Sequence, residues 1–494
     1  MVSSVAVAVC PWNDASHRAE NHDGRIAIRH MRSLCVARRV PARAPCVPSR
    51  ALLCPASNSL EGLQWRRVAR SPARQNESRP FAVDVLKVIN AADVEEAVRA
   101  AIADEQPLEI IGHGSKRQIG QPTATNAVLD LSALNAVIAY EPNELVITVQ
   151  AGAPLADVMS LIDSKSQHFA FEPMDIAPLL GMPGRGTIGG MIAAGLAGPR
   201  RIKAGGARDH LLGAHAVSGY GDSFKTGGKV VKNVTGYDLC KLLAGSWGTL
   251  AVMTEVTLKV MPRPESERTL VLPGLDDRTA NQAMIAALGS PFDVSGAAHV
   301  PTSALQAEAE GLDWIGGSQQ ALTLLRLEGI TASVAHRAAA LAKQLAPYGT
   351  AEILEDAASA AIWSAVRDVL PFAANGQFGA WPVWRIVCPP ASGGALGQAL
   401  TQEVGGEVIY DWGGGLIWAA LPPTPDADAA LVRKRVEAVS GHASLLRASA
   451  AVRSGLDVFQ PQAPGVAALE DRVRRSFDPK AILNRGRIRR SVAS

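Results

Sequence analysis

Between Gly184 and Val260 the chain reads GRGTIGGMIAAGLAGPRRIKAGGARDHLLGAHAVSGYGDSFKTGGKVVKNVTGYDLCKLLAGSWGTLAVMTEVTLKV. This stretch is too rich in glycine for an ordinary core. Its glycines stand beside β-branched and small residues, which a floppy linker would not contain. Glycine lets main-chain N–H groups approach an anion with no Cβ in the way. The pattern therefore predicts a backbone that closes around a phosphate-bearing ligand.

Two shorter glycine turns define where that ligand sits. Leu108–Ile111 reads as a strand running into Gly112-His113-Gly114-Ser115-Lys116. Thr187-Ile188-Gly189-Gly190, with Ala194 and Gly195, reads as a second turn, and Gly245-Ser246-Trp247-Gly248 as a third, ahead of a strand that contains Val252. Two such loops can clamp a pyrophosphate with backbone N–H groups and few charged side chains. Either loop alone is equally well read as a structural turn. Gly184-Arg185-Gly186-Thr187-Ile188-Gly189 also matches GxGxxG, with Asp209 twenty residues beyond Gly189. A dinucleotide fingerprint must follow a buried strand. The proline-broken segment before Gly184 does not read as one.

The rest of the chain divides by composition. Residues 1–80 contain thirteen Arg and no Lys, and the first lysine is Lys87. An organellar presequence, upstream sequence from a misassigned start and a disordered tail all fit, and each keeps 1–80 out of the fold. From Val83 the pattern becomes regular. Asp93 and Glu96 have capping-box spacing, and Val94, Val98 and Ile102 mark an amphipathic helix. Short strands are expected at Ala127–Leu131, Val137–Tyr140, Leu145–Val149, Leu211–Val217, Ser223–Thr226 and Leu250–Val260, with a helix after Pro154. Residues 81–264 form one domain on this reading. Residues 265–440 alternate strands with alanine-rich helices, an α+β layer. Residues 441–490 hold a helix from Pro464 and the closing Ile482–Arg487.

A net charge of +3 is too small to argue for nucleic acid. No apolar run is long enough to span a membrane, so any membrane contact is peripheral. Of six cysteines, only Cys240 and Cys388 lie beyond residue 54, and no CxxC pair occurs. That argues against an iron–sulfur or zinc-ribbon site in this chain and fits a reducing compartment.

Taken together, the strand–GHGS turn, GTIGGxxAxGLxGPRR, KNVTGYD and AGSxGTLxVxTEVxLKVxPRP resemble the FAD-binding half of the vanillyl-alcohol-oxidase-type (PCMH-type) flavoproteins. GPRR at 198–201, Lys232–Asp238 and the closing FDPxxILNxGR are similar to the FAD-binding second subunit of bacterial glycolate oxidases. The resemblance spans roughly residues 82–490 and is looser between 265 and 440. It implies an α+β fold in which two small subdomains cradle FAD under an α+β cap. Carried over by motif, the FAD-binding positions are Gly112, His113, Gly114, Ser115, Lys116, Thr187, Ile188, Gly189, Gly190, Ala194, Gly195, Gly245, Ser246, Gly248 and Val252. Some relatives tether FAD to a histidine at the end of the first glycine turn. Ser115 stands at that position and His113 falls two residues early, so FAD is expected to be non-covalent. The usual NPGR close is Asn484-Arg485-Gly486-Arg487 here, without the proline.

The resemblance further implies a role in oxidising glycolate to glyoxylate. A catalytic flavoprotein subunit and an iron–sulfur subunit would be its partners, in a cytoplasmic complex that meets the inner membrane only through them. No metal is expected in this chain. The HxGDGNxH motif of related catalytic subunits is absent, and His299, His336 and His442 are isolated, so no catalytic residue is assigned. Arg200 and Arg201 are candidates to neutralise a substrate carboxylate or the FAD phosphates, with a solvated pair as the alternative; Arg385 beside Trp384 is a similar candidate, with simple packing as the alternative. Two other functions stay open: a self-sufficient flavin oxidase for another alcohol or 2-hydroxyacid, and a structural subunit whose FAD does not react.

Overall fold

A computed structural model describes residues 66–68, 83–123, 125, 127–228, 237–307 and 318–489. Residues 1–65 and 69–82 of the arginine-rich region and Lys232–Gly236 of the KNVTGYD motif lie outside them. No helix among the described residues is long and apolar enough to cross a membrane.

The first layer is a four-stranded sheet of β1 (Arg66–Val68), β2 (Val83–Lys87), β3 (Leu108–Ile111) and β4 (Ala127–Asp130), in the order β1-β2-β4-β3. β2 and β3 run parallel to β4, and β1 is antiparallel to β2, so Arg66–Val68 joins the fold, against the expectation from composition that 1–80 stays out of it. Parallel neighbours need a crossover. Helix Ala91–Ala103 supplies one between β2 and β3, burying Val94, Ala97, Val98 and Ala101. It starts earlier than the Asp93 cap expected from spacing. Asn90 caps it, accepting from Asp93 N at 2.9 Å, while the Asp93 carboxylate accepts from Ile89 N.

The second sheet is wholly antiparallel. It contains β5 (Val137–Glu141), β6 (Val146–Gln150), β7 (Leu211–Ser218), β8 (Ser223–Gly227) and β9 (Ala251–Lys259), ordered β5-β6-β9-β7-β8. Helices Leu155–Asp163 and Ile188–Ala194 cover it. Leu155, Val158, Ile162, Ile188, Met191 and Ile192 pack on the inward residues of β6, β7 and β9.

The third sheet has eight antiparallel strands: β10 (Ser266–Pro273), β11 (Gly296–Val300), β12 (Leu322–Gly329), β13 (Glu352–Glu355), β14 (Val383–Val387), β15 (Glu407–Asp411), β16 (Leu416–Ala420) and β17 (His442–Arg447). Their order, β13-β10-β12-β11-β15-β16-β14-β17, is two βαββαβ units joined edge to edge through His299 and Tyr410. β17 belongs to this layer, so the C-terminal return begins after Arg447 rather than at 441. Strand side chains alternate between faces. One face packs under the helices 277–288, 331–344, 393–404 and 429–437. The other carries Leu322, Leu324, Val383, Leu416 and Trp418 against Met174, Ala194 and Leu196 of the glycine-rich part.

At that second face β12 places Arg326 among apolar residues. Its guanidinium makes paired 2.9 Å hydrogen bonds to Glu172. Arg200 joins them, donating from its backbone to Glu172 at 2.7 Å and from Nε to Glu328 at 2.8 Å. Burial opposes the charged form of Glu172, but Arg326 and Arg200 outweigh it and hold the carboxyl below its ordinary value. Removing one partner strands the other in low dielectric. Arg326→Met is expected to cost about 3–5 kcal/mol, read as a lower denaturation midpoint, and Glu172→Met with Arg326→Met should recover much of the loss.

Candidate functional site

β3 delivers the chain into a loop at 112–116 that has no room for side chains on its inner side. A Cβ at Gly112 would fall within 2.6 Å of Thr187 Cγ2, and Gly114 has φ +72°. Arg117 N bonds back to Gly114 O and Ile119 N to Lys116 O, each at 3.1 Å, which curls the loop. Among the described residues, none accepts a hydrogen bond from the backbone N–H groups of Gly112, His113, Gly114, Ser115 or Lys116. A concave run of free amides is an anion-binding nest.

The second glycine segment differs from the expected turn. Thr187 is the N-cap of helix Ile188–Ala194, and its side chain accepts from Gly190 N at 3.2 Å. Ile188 N and Gly189 N donate to Ala153 O and Ala151 O at 2.9 and 2.7 Å. The capping threonine and the β6 end thus use the amides that the clamp reading assigned to pyrophosphate. Gly189 is glycine for packing, since a Cβ there would meet Ala151 Cβ at 2.7 Å. At Gly190 a Cβ would meet only Thr187 Oγ1, at 3.3 Å. GxGxxG therefore opens a helix here without a preceding strand. Asp209 caps its own short helix by accepting from Gly206 N, so neither part of the dinucleotide fingerprint is in place.

The third loop docks on the end of that helix. Gly245 N and Trp247 N donate to Ile192 O and Ala193 O at 3.0 and 2.9 Å. The C-terminal return then locks the loop to β3. Leu108 N donates to Ile482 O at 2.8 Å, and Asn484 N to Leu108 O at 2.9 Å. The Asn484 side chain accepts from Ile110 N and donates to Trp247 O, both at 2.8 Å. Its Nδ2 would lie 2.7 Å from a Cβ on Gly248, which has φ +69°. The missing proline of the closing motif leaves this turn intact.

These segments line a cavity that opens to solvent. Of the residues singled out from sequence, Gly112, His113, Gly114, Ser115, Lys116, Thr187, Gly189, Gly190, Ala194, Gly248 and Val252 line it. Ile188 does not, because its side chain is fully buried beneath the helix. Gly195 ends that helix in the left-handed region and faces Gly245. Gly245 and Ser246 line the adjoining groove, which meets the cavity at Trp247. Sequence reasoning missed Ile110, Ile111, Leu131, Ala193 and Met253, which make the apolar wall, and Arg117, Trp247, Asn484 and Arg487. The signal for the last two was available in the closing ILNRGR motif.

The charges at the cavity mouth are basic. Arg117 is committed to Glu109 through a 2.9 Å bond from Nε. Arg487 donates to the Lys116 carbonyl, and burial pulls its guanidinium down to about 10 against the attraction of Glu109. Burial likewise lowers Lys116 to about 8, with Asp175 opposing. Its ammonium lies 3.4 Å from Ser115 Oγ.

The arginines proposed for a substrate separate. Arg200 is consumed by the Glu172 and Glu328 network, which removes it from that role. Arg201 and Arg385 both approach the Trp412 ring. Trp384 points to the opposite face, donating to Ala427 O at 2.9 Å. His299 is buried against Thr323 and Tyr410 in the far sheet.

The FAD binding domain family matches residues 84–227. Glycolate oxidase subunit GlcE of Escherichia coli is 32% identical over 398 residues, 80% of this chain and 95% of that protein. Glycolate oxidase subunit GlcD of Bacillus subtilis is 33% identical over 201 residues, 40% of each chain. Among solved structures, a 4-ethylphenol oxidase from Gulosibacter chungangensis superposes with a TM-score of 0.60 at 13% identity, covering 84% of this chain and 91% of that one. A p-cresol methylhydroxylase gives 0.56 at 13% identity, covering 83% and 89%; these two show the fold. The chain is an FAD-linked oxidoreductase, and it belongs to the family of the glycolate oxidase subunit GlcE.

Proposed function

We propose that this chain is the FAD-binding subunit of a glycolate oxidase complex, working with a second flavoprotein and an iron–sulfur subunit. The observation that carries the reading is the match to GlcE along 95% of that protein. The cavity is compatible with the cofactor. Five consecutive amides at 112–116 with no acceptor among the described residues suit a pyrophosphate. Lys116 and Arg487 offset its charge, and the wall of Ile110, Leu131, Ala193 and Met253 suits an apolar ring. Bound FAD supplies acceptance of hydride or electrons. Ser115 offers no ring nitrogen for a tether, so the flavin is held non-covalently and acid precipitation should release its colour.

Taking a proton from a 2-hydroxyacid hydroxyl needs a positioned base. Among the described residues that line the cavity the one histidine is His113, solvent-exposed on the first glycine loop. The base therefore comes from a partner subunit. Anaerobic mixing of the purified, FAD-loaded chain with glycolate should leave the flavin absorbance unchanged, and coexpression with the partner subunits should restore reduction. A self-sufficient oxidase is favoured by one feature, the lowered Lys116. Rapid bleaching of the lone chain that disappears in Lys116→Met would establish that reading instead.

Two further outcomes test the cavity assignment. Gly190→Val should fold with a near-normal Tm yet lose flavin at least tenfold in affinity, because its side chain enters the cavity. Gly189→Val should lose Tm as well, through its clash with Ala151. Lys116 is charged below about pH 8 and neutral above it. A phosphate binds the charged form, so FAD affinity should be full at pH 7 and fall as pH rises through 8. The limit is about tenfold per pH unit, and Lys116→Met should flatten the profile.

A further inference from the structure

Arg201 and Arg385 come from opposite sides of the seam between the glycine-rich part and the eight-stranded sheet. Their guanidinium carbons lie 4.5 and 5.1 Å from the centroid of one ring, that of Trp412. Trp412 is itself pinned across the seam, donating from Nε1 to Gly198 O at 3.1 Å. Among the described residues, neither guanidinium has a hydrogen-bond partner or a carboxylate within ion-pair distance. Other arginines of this seam are engaged: Arg200 pairs with Glu328, Arg326 with Glu172 and Arg367 with Asp368, while Arg447 donates to the carbonyls of Leu179, Phe372, Phe378 and Trp381.

Two like charges gathered on one indole without a counter-ion are costly unless something negative joins them. Arg385 is half-buried in a strand whose neighbours on that face are Val383 and Val387. Trp418 flanks it as well, at 5.9 Å. Burial lowers Arg385 to about 10, and the charge of Arg201 pushes the same way. Asp411 is the acid that opposes this, but burial raises its carboxyl to about 7. It therefore supplies less than a full counter-charge at neutral pH, and one of its two oxygens, Oδ1, accepts from Trp412 N at 2.7 Å.

We propose that Arg385, with Arg201 as its solvent-exposed outer arm, forms a carboxylate-binding site on Trp412 that receives the acid group of a small 2-hydroxyacid. A guanidinium fork matches a planar carboxylate in shape and charge. Part of the guanidinium charge rests on the indole face, so the N–H edges are left for the ligand. The assignment rests on the glycolate reading above, and it adds a place on this chain where the acid is held.

Oxalate, a carboxylate that cannot be oxidised as a 2-hydroxyacid, is the probe. Calorimetry on the FAD-loaded full chain should show one oxalate bound. Arg201→Met and Arg385→Met should each weaken it at least tenfold, with Arg278→Met, on a distant exposed helix, unchanged. Arg201 is exposed, so its variant tests the site even if Arg385→Met fails to fold. Equal flavin content and Tm across the variants establish that the fold is intact. No oxalate binding to the wild type, or binding indifferent to both substitutions, would overturn the proposal. Equally tight sulfate with the same losses would also overturn it, by making the site a general oxyanion seat. Glycolate turnover by the reconstituted complex separates the two readings. Turnover with a KM unchanged in both variants removes this site and leaves the proposed function standing, whereas absent turnover in the wild type removes the function itself.

Discussion

The Glu172–Arg326 pair stands where the glycine-rich part meets the eight-stranded sheet, and the seam is arranged around it. Neither charge would be tolerable alone, since Arg326 is 1% exposed and Glu172 8%. Their mutual hydrogen bonds fix the approach of the two surfaces to the precision of a fork on a carboxylate. Arg200 extends the network to Glu328 and Glu267. The backbone of Gly198, next to it, then anchors Trp412. A shift of one layer past the other would unmake all of these contacts together. The seam therefore behaves as a register device as much as an adhesive.

The sheet on the far side of that seam gains its breadth by repetition. Each βαββαβ unit has a single face of helices, and joining β11 to β15 leaves the helices of both units on the same side. The opposite face becomes one continuous surface wide enough to cover the cofactor-family half. Trp418 and Trp412 populate that surface, and Trp363, from helix Asp356–Arg367, packs against it.

Much of the first two layers was legible in the residues. Alternating apolar positions placed β3, β6, β7 and β9 within a residue or two, and the glycine turns located eleven lining residues of the cavity. What escaped had physical causes. The 187–190 segment reads as a turn because Gly189 and Gly190 are poor helix formers. It is helical because Thr187 caps it and Gly189 is the residue small enough to sit on Ala151. Arg200 and Arg201 are indistinguishable as neighbours in a sequence. Only the fold shows that one faces Glu172 and the other Trp412. The duplicated unit went unread because its alanine-rich helices and short strands lack a shared motif. Asn484 stood in the quoted closing motif, but its bridge between Ile110 and Trp247, residues far from it along the chain, is visible only in the fold.

The return of Ile482–Arg487 to β3 also sets a timetable. β3 and its anion loop are made early, yet two of the residues that wall the cavity, Asn484 and Arg487, are added after nearly all the others. A nascent chain still on the ribosome can form both sheets of the glycine-rich part and still lack a finished pocket. The lining of the pocket is thereby complete only once synthesis has passed Arg487. A fragment broken off before that point carries the glycine signature without the closed site.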